Sequence, residues 1–135
     1  MSPEAFVHYK TNIEEIDKQH LSILMISNEI LRNKTSAIET LFEKIEELNK
    51  IFIYHLEYEE ELMRQINFKY IVAHFDSHTR LKCEFNKIIT SLKDKGSNKY
   101  LLIQRLHKIL LEHVDHDDRQ YIEPYSEHLQ SLTIG

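Results

Sequence analysis

Residues 38–63 read IETLFEKIEELNKIFIYHLEYEEELM, and this stretch decides the fold. Its apolar side chains, Ile38, Leu41, Phe42, Ile45, Leu48, Phe52, Leu56, Leu62 and Met63, recur at steps of three and four. That spacing draws one face of a helix turned toward a core, because the helical repeat brings such positions together. His55 and Glu59 occupy the same stripe without a slip in register. A helix is therefore predicted over about residues 37–64, with two polar groups on its buried side. Ser36, followed three residues later by Glu39, reads as a capping box that opens it.

The flanking segments repeat the pattern. Over about residues 14–32 the stripe is Ile13, Ile16, Ile23, Leu24, Ser27 and Leu31, with His20 inside it. Over about 70–94 it is Ile71, His74, Phe75, His78, Leu81, Phe85, Ile88 and Leu92; over about 98–118 it is Leu102, Leu106, Ile109, Leu110, His113 and Val114. Gly96 reads as the stop of the third helix and Ser97 or Asn98 as the cap of the fourth. A polar tail with Pro124 follows. Four amphipathic helices with short connections predict an all-α fold, an antiparallel up-down four-helix bundle formed by a single domain over residues 1–135. The residues before the first helix are expected to lie across it as an extended arm.

Composition agrees with that class. A chain of 135 residues can bury one core, and only two glycines and two prolines argue against an all-β fold with its frequent turns. A net charge of −5 gives no basic face for nucleic acid. No apolar run approaches the length of a membrane span, so no membrane partner is expected. Cys83 is the only cysteine, which excludes an internal disulfide and points to a cytoplasmic protein. It lies off the stripes and is given no catalytic role.

The nine histidines carry the functional question. A single histidine on an apolar face is more often a hydrogen-bonded core residue than a ligand. Here His20, His55, His74, His78 and His113 all fall on stripes, and every helix contributes at least one. His74 and His78 stand one turn apart and can chelate one ion; His55 and Glu59 repeat that spacing. Buried imidazoles and a carboxylate are costly unless paired, and bonding to metal compensates that cost. Five imidazoles exceed what one site takes, so two metals are expected, with zinc, copper or iron suiting nitrogen-rich ligation. Both His-Glu-x-x-His and Glu-x-x-His are absent, which separates this set from zinc proteases and from carboxylate-rich di-iron bundles. His8, His107 and His128 read as ordinary, and His116 as a surface or supporting residue. The acidic runs 57–61 and 115–118 read as solvated faces apart from one ligand each.

Taken in order, Ile16-Asp17-Lys18-Gln19-His20, His55-Leu56-Glu57-Tyr58-Glu59-Glu60 with Met63, His74-Phe75-Asp76-Ser77-His78, and His113-Val114 with Asp118 and Tyr121 resemble the hemerythrin family. The likeness is closest to its single-domain bacterial members and runs from about Phe6 to Tyr125. It implies two iron ions (Fe2+/Fe3+) with a bridging oxo or hydroxo group. His74, His78 and His113 would hold one iron. His20 and His55 would hold the other, which keeps an open position, and Glu59 and Asp118 would bridge the pair. Leu111 matches a leucine that lines the O2 pocket in relatives. The implied activity is reversible O2 binding, for storage, delivery or scavenging, rather than enzymatic turnover. O2 is the implied partner, and no obligatory protein partner is expected. Sensing of O2 or redox state, and protection or repair of iron centres, are alternatives for the same site. Spacing alone favours Asp117, one helical turn after His113, because Asp118 is rotated by ~140° on a regular helix; the family pattern favours Asp118. Phe6 and Ile109 stand where relatives often carry tryptophan, and Leu56 where phenylalanine is common, so pocket shape differs while the ligand set does not.

Overall fold

A computed structural model describes residues 11, 13–33, 37–115 and 120–134. Among these residues there are five α-helices and no strand: α1 Glu14–Arg32, α2 Ile38–Gln65, α3 Ile71–Leu92, α4 Lys99–Asp115 and α5 Ile122–Ile134. The all-helical expectation holds. The polar tail adds a helix to the four expected, α5. Pro124 does not prevent this, since it falls in the first turn, where a helix has no partner for its N–H. Ser36 and the N-terminal arm lie outside the described residues.

Local chemistry sets the helix ends. Thr11 Oγ1 accepts from Ile13 N at 3.1 Å and donates to Asp17 Oδ1 at 2.8 Å, which ties the incoming chain to the first turn of α1. At the end of α2, Asn67 takes the left-handed conformation (φ 50°), and Phe68 N donates to Met63 O at 2.9 Å. This is the six-to-one bond of a Schellman stop, with asparagine in the place glycine usually takes. Phe68 then packs back beside Leu62 and Met63. Gly96, by contrast, has no positive φ, and α3 already ends at Leu92. Asn98 is the cap of α4, its Oδ1 accepting from Leu101 N at 3.2 Å.

α1 packs on α2 and α4, and α3 packs on the same two helices. The contacts form a circuit around a shared core of Ile23, Ile30, Leu41, Ile45, Leu48, Phe52, Leu56, Phe85, Ile88, Leu92, Ile103, Leu106, Ile109 and Leu110. Most of these positions lie on the predicted stripes. Ile30 and Ile103 are the exceptions: they are buried, while the predicted Leu31 and Leu102 are only partly so. Each sits one position from the predicted residue, at the margin of the stripe, where periodicity separates neighbours poorly. A smaller cluster of Ile16, Leu62, Met63, Phe68 and Tyr121 is packed separately. No described helix is long and apolar enough to cross a membrane.

A polar contact joins α1 to α4: His107 Nδ1 lies 2.7 Å from Ser27 Oγ. Partial burial pushes the His107 imidazole below its usual range. The unfolded chain therefore takes up this proton at a higher pH than the folded one, and the contribution to stability is lost as pH falls. Melting temperature should drop between about pH 7.5 and about pH 5.5, with a shallower slope in His107→Gln. Equal slopes in the two proteins would show that His107 contributes nothing to the effect.

Candidate metal centre

The helical repeat brings the stripe histidines into one polar layer between the two apolar clusters. On α1, His20 follows Ile16 of the smaller cluster and precedes Ile23 of the larger. On α2, His55 and Glu59 lie between Phe52 of the larger cluster and Leu62 and Met63 of the smaller. His78 comes from α3 and His113 from α4. All five side chains are out of contact with solvent, His78 at 1% exposure and the others at 0%.

Their ligand atoms form two groups that could each hold a metal ion, His20–His55–Glu59 and Glu59–His78–His113, with the atoms of each group within 4.8 Å of one another. Glu59 belongs to both. Its Oε1 is in contact with His55 Nε2 one turn earlier on the same helix and lies 3.1 Å from His113 Nε2. Its Oε2 faces His78 Nε2 at 3.8 Å, too far for a hydrogen bond.

The outer ring nitrogens fix the state of the inner ones. His55 Nδ1–H donates to Gln19 Oε1 at 2.8 Å, and Gln19 Nε2 donates onward to Glu15 Oε1 at 3.3 Å. This chain orients the amide and, in the neutral ring, turns the His55 Nε2 lone pair toward the centre, against Glu59 Oε1. His78 Nδ1–H donates to Glu60 Oε1 at 3.2 Å, so its Nε2 is likewise an acceptor. Among the described residues neither His78 Nε2 nor Glu59 Oε2 has a hydrogen-bond partner. In the neutral ring two buried acceptors therefore face each other, an arrangement that a metal cation between them, or a proton on His78 Nε2, would satisfy. Burial pushes the His78 imidazole below its usual range, and the Glu59 carboxylate opposes that shift.

The surrounding rings are packed in place. Phe52 meets the His113 ring edge-on at 5.5 Å and stacks on Phe85 at 5.8 Å. His20 and His55 are edge-on at 4.8 Å, and His78 and His113 at 5.6 Å. Leu24 and Val114 form a third apolar cluster, with Leu111 packed against it.

Of the seven metal ligands read from the sequence, the structure brings five together. His74 is buried beside them, its ring 6.2 Å from that of His78, but its Nε2 lies 2.9 Å from Gln120 Oε1 at a small cleft lined by Ala73, Ser77 and Gln120. Asp118 lies outside the described residues, as do Asp117, His116 and His8. Three residues enter to which the sequence assigns no role of their own: Gln19, Glu60 and Gln120. Glu60 corrects the view that its acidic run is solvated apart from Glu59, since its side chain is only 16% exposed and holds His78. Its position, 100° around α2 from Glu59, faces the neighbouring helix rather than the centre. A core-directed stripe does not register such a residue.

A scan of protein-family models gives no match for this chain, and searches of curated proteins and of solved structures give no significant one. The site must be judged on its geometry.

With a divalent metal at about a hundredfold over its Kd, each filled site should add about 2.7 kcal/mol to the stability of the chain. Glu59→Gln should lose most of this gain, while the chelator-treated variant melts higher than the chelator-treated parent, because a buried charge has been removed. Differential scanning calorimetry with and without metal measures both. A full metal-dependent gain in the variant would show that the shared carboxylate is not a ligand.

Proposed function

We propose that this chain is an O2-binding protein whose centre is a pair of iron ions inside an antiparallel up-down four-helix bundle, with α5 appended. The circuit of helix contacts supports the bundle. So do the connections 33–37, 66–70 and 93–98, which are short enough that each helix reverses on the one before. The single observation that carries the functional reading is the membership of Glu59 in both ligand groups, which suits a carboxylate shared between two ions.

In this reading His20 and His55 hold one ion, and His78 and His113 the other. The resemblance to hemerythrins adds His74 to the second set and Asp118 as a further shared carboxylate. Nitrogen-rich ligation suits iron and disfavours calcium and magnesium, which prefer oxygen shells. A bound pair of ferrous ions would supply the two electrons on which O2 uptake draws. Gln19 and Glu60 keep the imidazole protons on the outer nitrogens, so the inner lone pairs stay available. Phe52, Ile16 and Met63 wall the polar layer with apolar surface, as Leu24, Val114 and Leu111 do beyond His20 and beside His113. Such walls keep out water and stray protons, and that favours release of intact O2 over irreversible oxidation.

The test is anaerobic loading with ferrous iron, an iron count, and cycles of air and argon followed by visible absorbance. Two irons per chain, and a band that rises under air and falls under argon, are the expected result. A band that persists under argon would overturn the carrier reading, and absence of iron would overturn the centre.

A further inference from the structure

The two halves of the centre are backed differently, and the difference is one of charge. Behind His78 stands a carboxylate: Glu60 Oε1 accepts from His78 Nδ1 at 3.2 Å, and the Glu60 side chain is 16% exposed. Behind His55 stands a neutral amide, Gln19, which accepts at 2.8 Å. The far end of that amide, Gln19 Nε2, donates in turn to Glu15 Oε1 at 3.3 Å. The bond to Gln19 is the shorter of the two, so any advantage of the His78 side lies in charge and not in distance.

We propose that Glu60 makes the Glu59–His78–His113 half the stronger metal site, so that it fills first and empties last, while the His20–His55 half is the labile one. The inference rests on the metal-centre reading above. A carboxylate accepting the outer N–H of an imidazole draws the proton toward itself and leaves the inner nitrogen a better donor. Its negative charge also acts on the ion across the width of one ring, with little water between to screen it. An amide carbonyl offers a dipole in place of a charge, so the gain on the Gln19 side is smaller. Glu60 thus acts through His78 as a positioning and tuning residue rather than a ligand. For a protein whose reactive position lies at one ion, this ordering anchors the pair through the half that α3 and α4 supply. The half built by α1 and α2 is left exchangeable.

Two isosteric substitutions separate charge from hydrogen bonding. Glu60→Gln keeps an acceptor oxygen for His78 and removes only the charge; Gln19→Glu adds a charge behind His55. The metal-stripped chain is titrated anaerobically with Co2+ in competition with a chelating dye, and the cobalt absorption bands follow occupancy. The parent should bind two ions in two resolved steps. Glu60→Gln should weaken the first step by about tenfold to a hundredfold, and Gln19→Glu should strengthen the second, drawing the steps together. Two equal steps in the parent would overturn the proposal. So would a Glu60→Gln variant that leaves the first step unmoved or shifts only the second, while two ions still bind and the centre itself stands. Failure of the parent to bind any ion would remove the centre and the proposal with it.

Discussion

A carboxylate buried without solvent is the constraint on which the molecule turns. Moving such a charge into a medium of low dielectric constant costs several kcal/mol even after relaxation. Glu59 bears that cost near the C-terminal end of α2, at 0% exposure, with one oxygen facing His78 Nε2 at 3.8 Å. In their neutral form His55 and His78 cannot also satisfy it by hydrogen bonding, because each then commits its one proton outward, to Gln19 and Glu60. Positive charge placed among these atoms resolves the conflict on all sides at once. The same arrangement would organise a metal-loaded chain.

The rest of the fold serves to hold that layer still. The larger apolar cluster fixes it from one side through Phe52, whose ring abuts His113. The smaller cluster closes the other side, and the left-handed turn at Asn67 returns Phe68 onto it, 5.3 Å from the His74 ring. Each of α1 to α4 contributes one or two polar residues to this layer and many apolar ones to its flanks, so the interior keeps enough apolar surface to carry it. Association of the helices and assembly of the ligand set are one event, since no single helix holds a complete ligand group.

Much of this was legible in the sequence because a helix converts spacing into direction. His20, His55, Glu59, His78 and His113 share register with leucines and isoleucines whose burial is beyond question, and their convergence follows. His74 obeys the same register yet directs its Nε2 to Gln120. Periodicity places a ring on a face but does not choose which atom of a neighbour it meets. Gln19 and Glu60 escaped for a related reason: they point sideways, toward adjoining helices, and polar residues beside a stripe read as solvent-facing. The fifth helix was hidden by Pro124, which breaks a helix from within but is tolerated in its first turn. Asn67 gave no warning, being a non-glycine residue in a glycine's conformation. Asp118 could not be chosen over Asp117 by spacing and lies outside the described residues.

Glu59 is proposed to be shared by two metal ions, each held mainly by imidazole. X-ray absorption at the iron edge, on protein loaded anaerobically with ferrous iron, reads ligand type and metal neighbours together. A nitrogen-rich shell with imidazole-ring scattering and a second iron close by is the expected spectrum. An oxygen-dominated shell with no iron neighbour would contradict it.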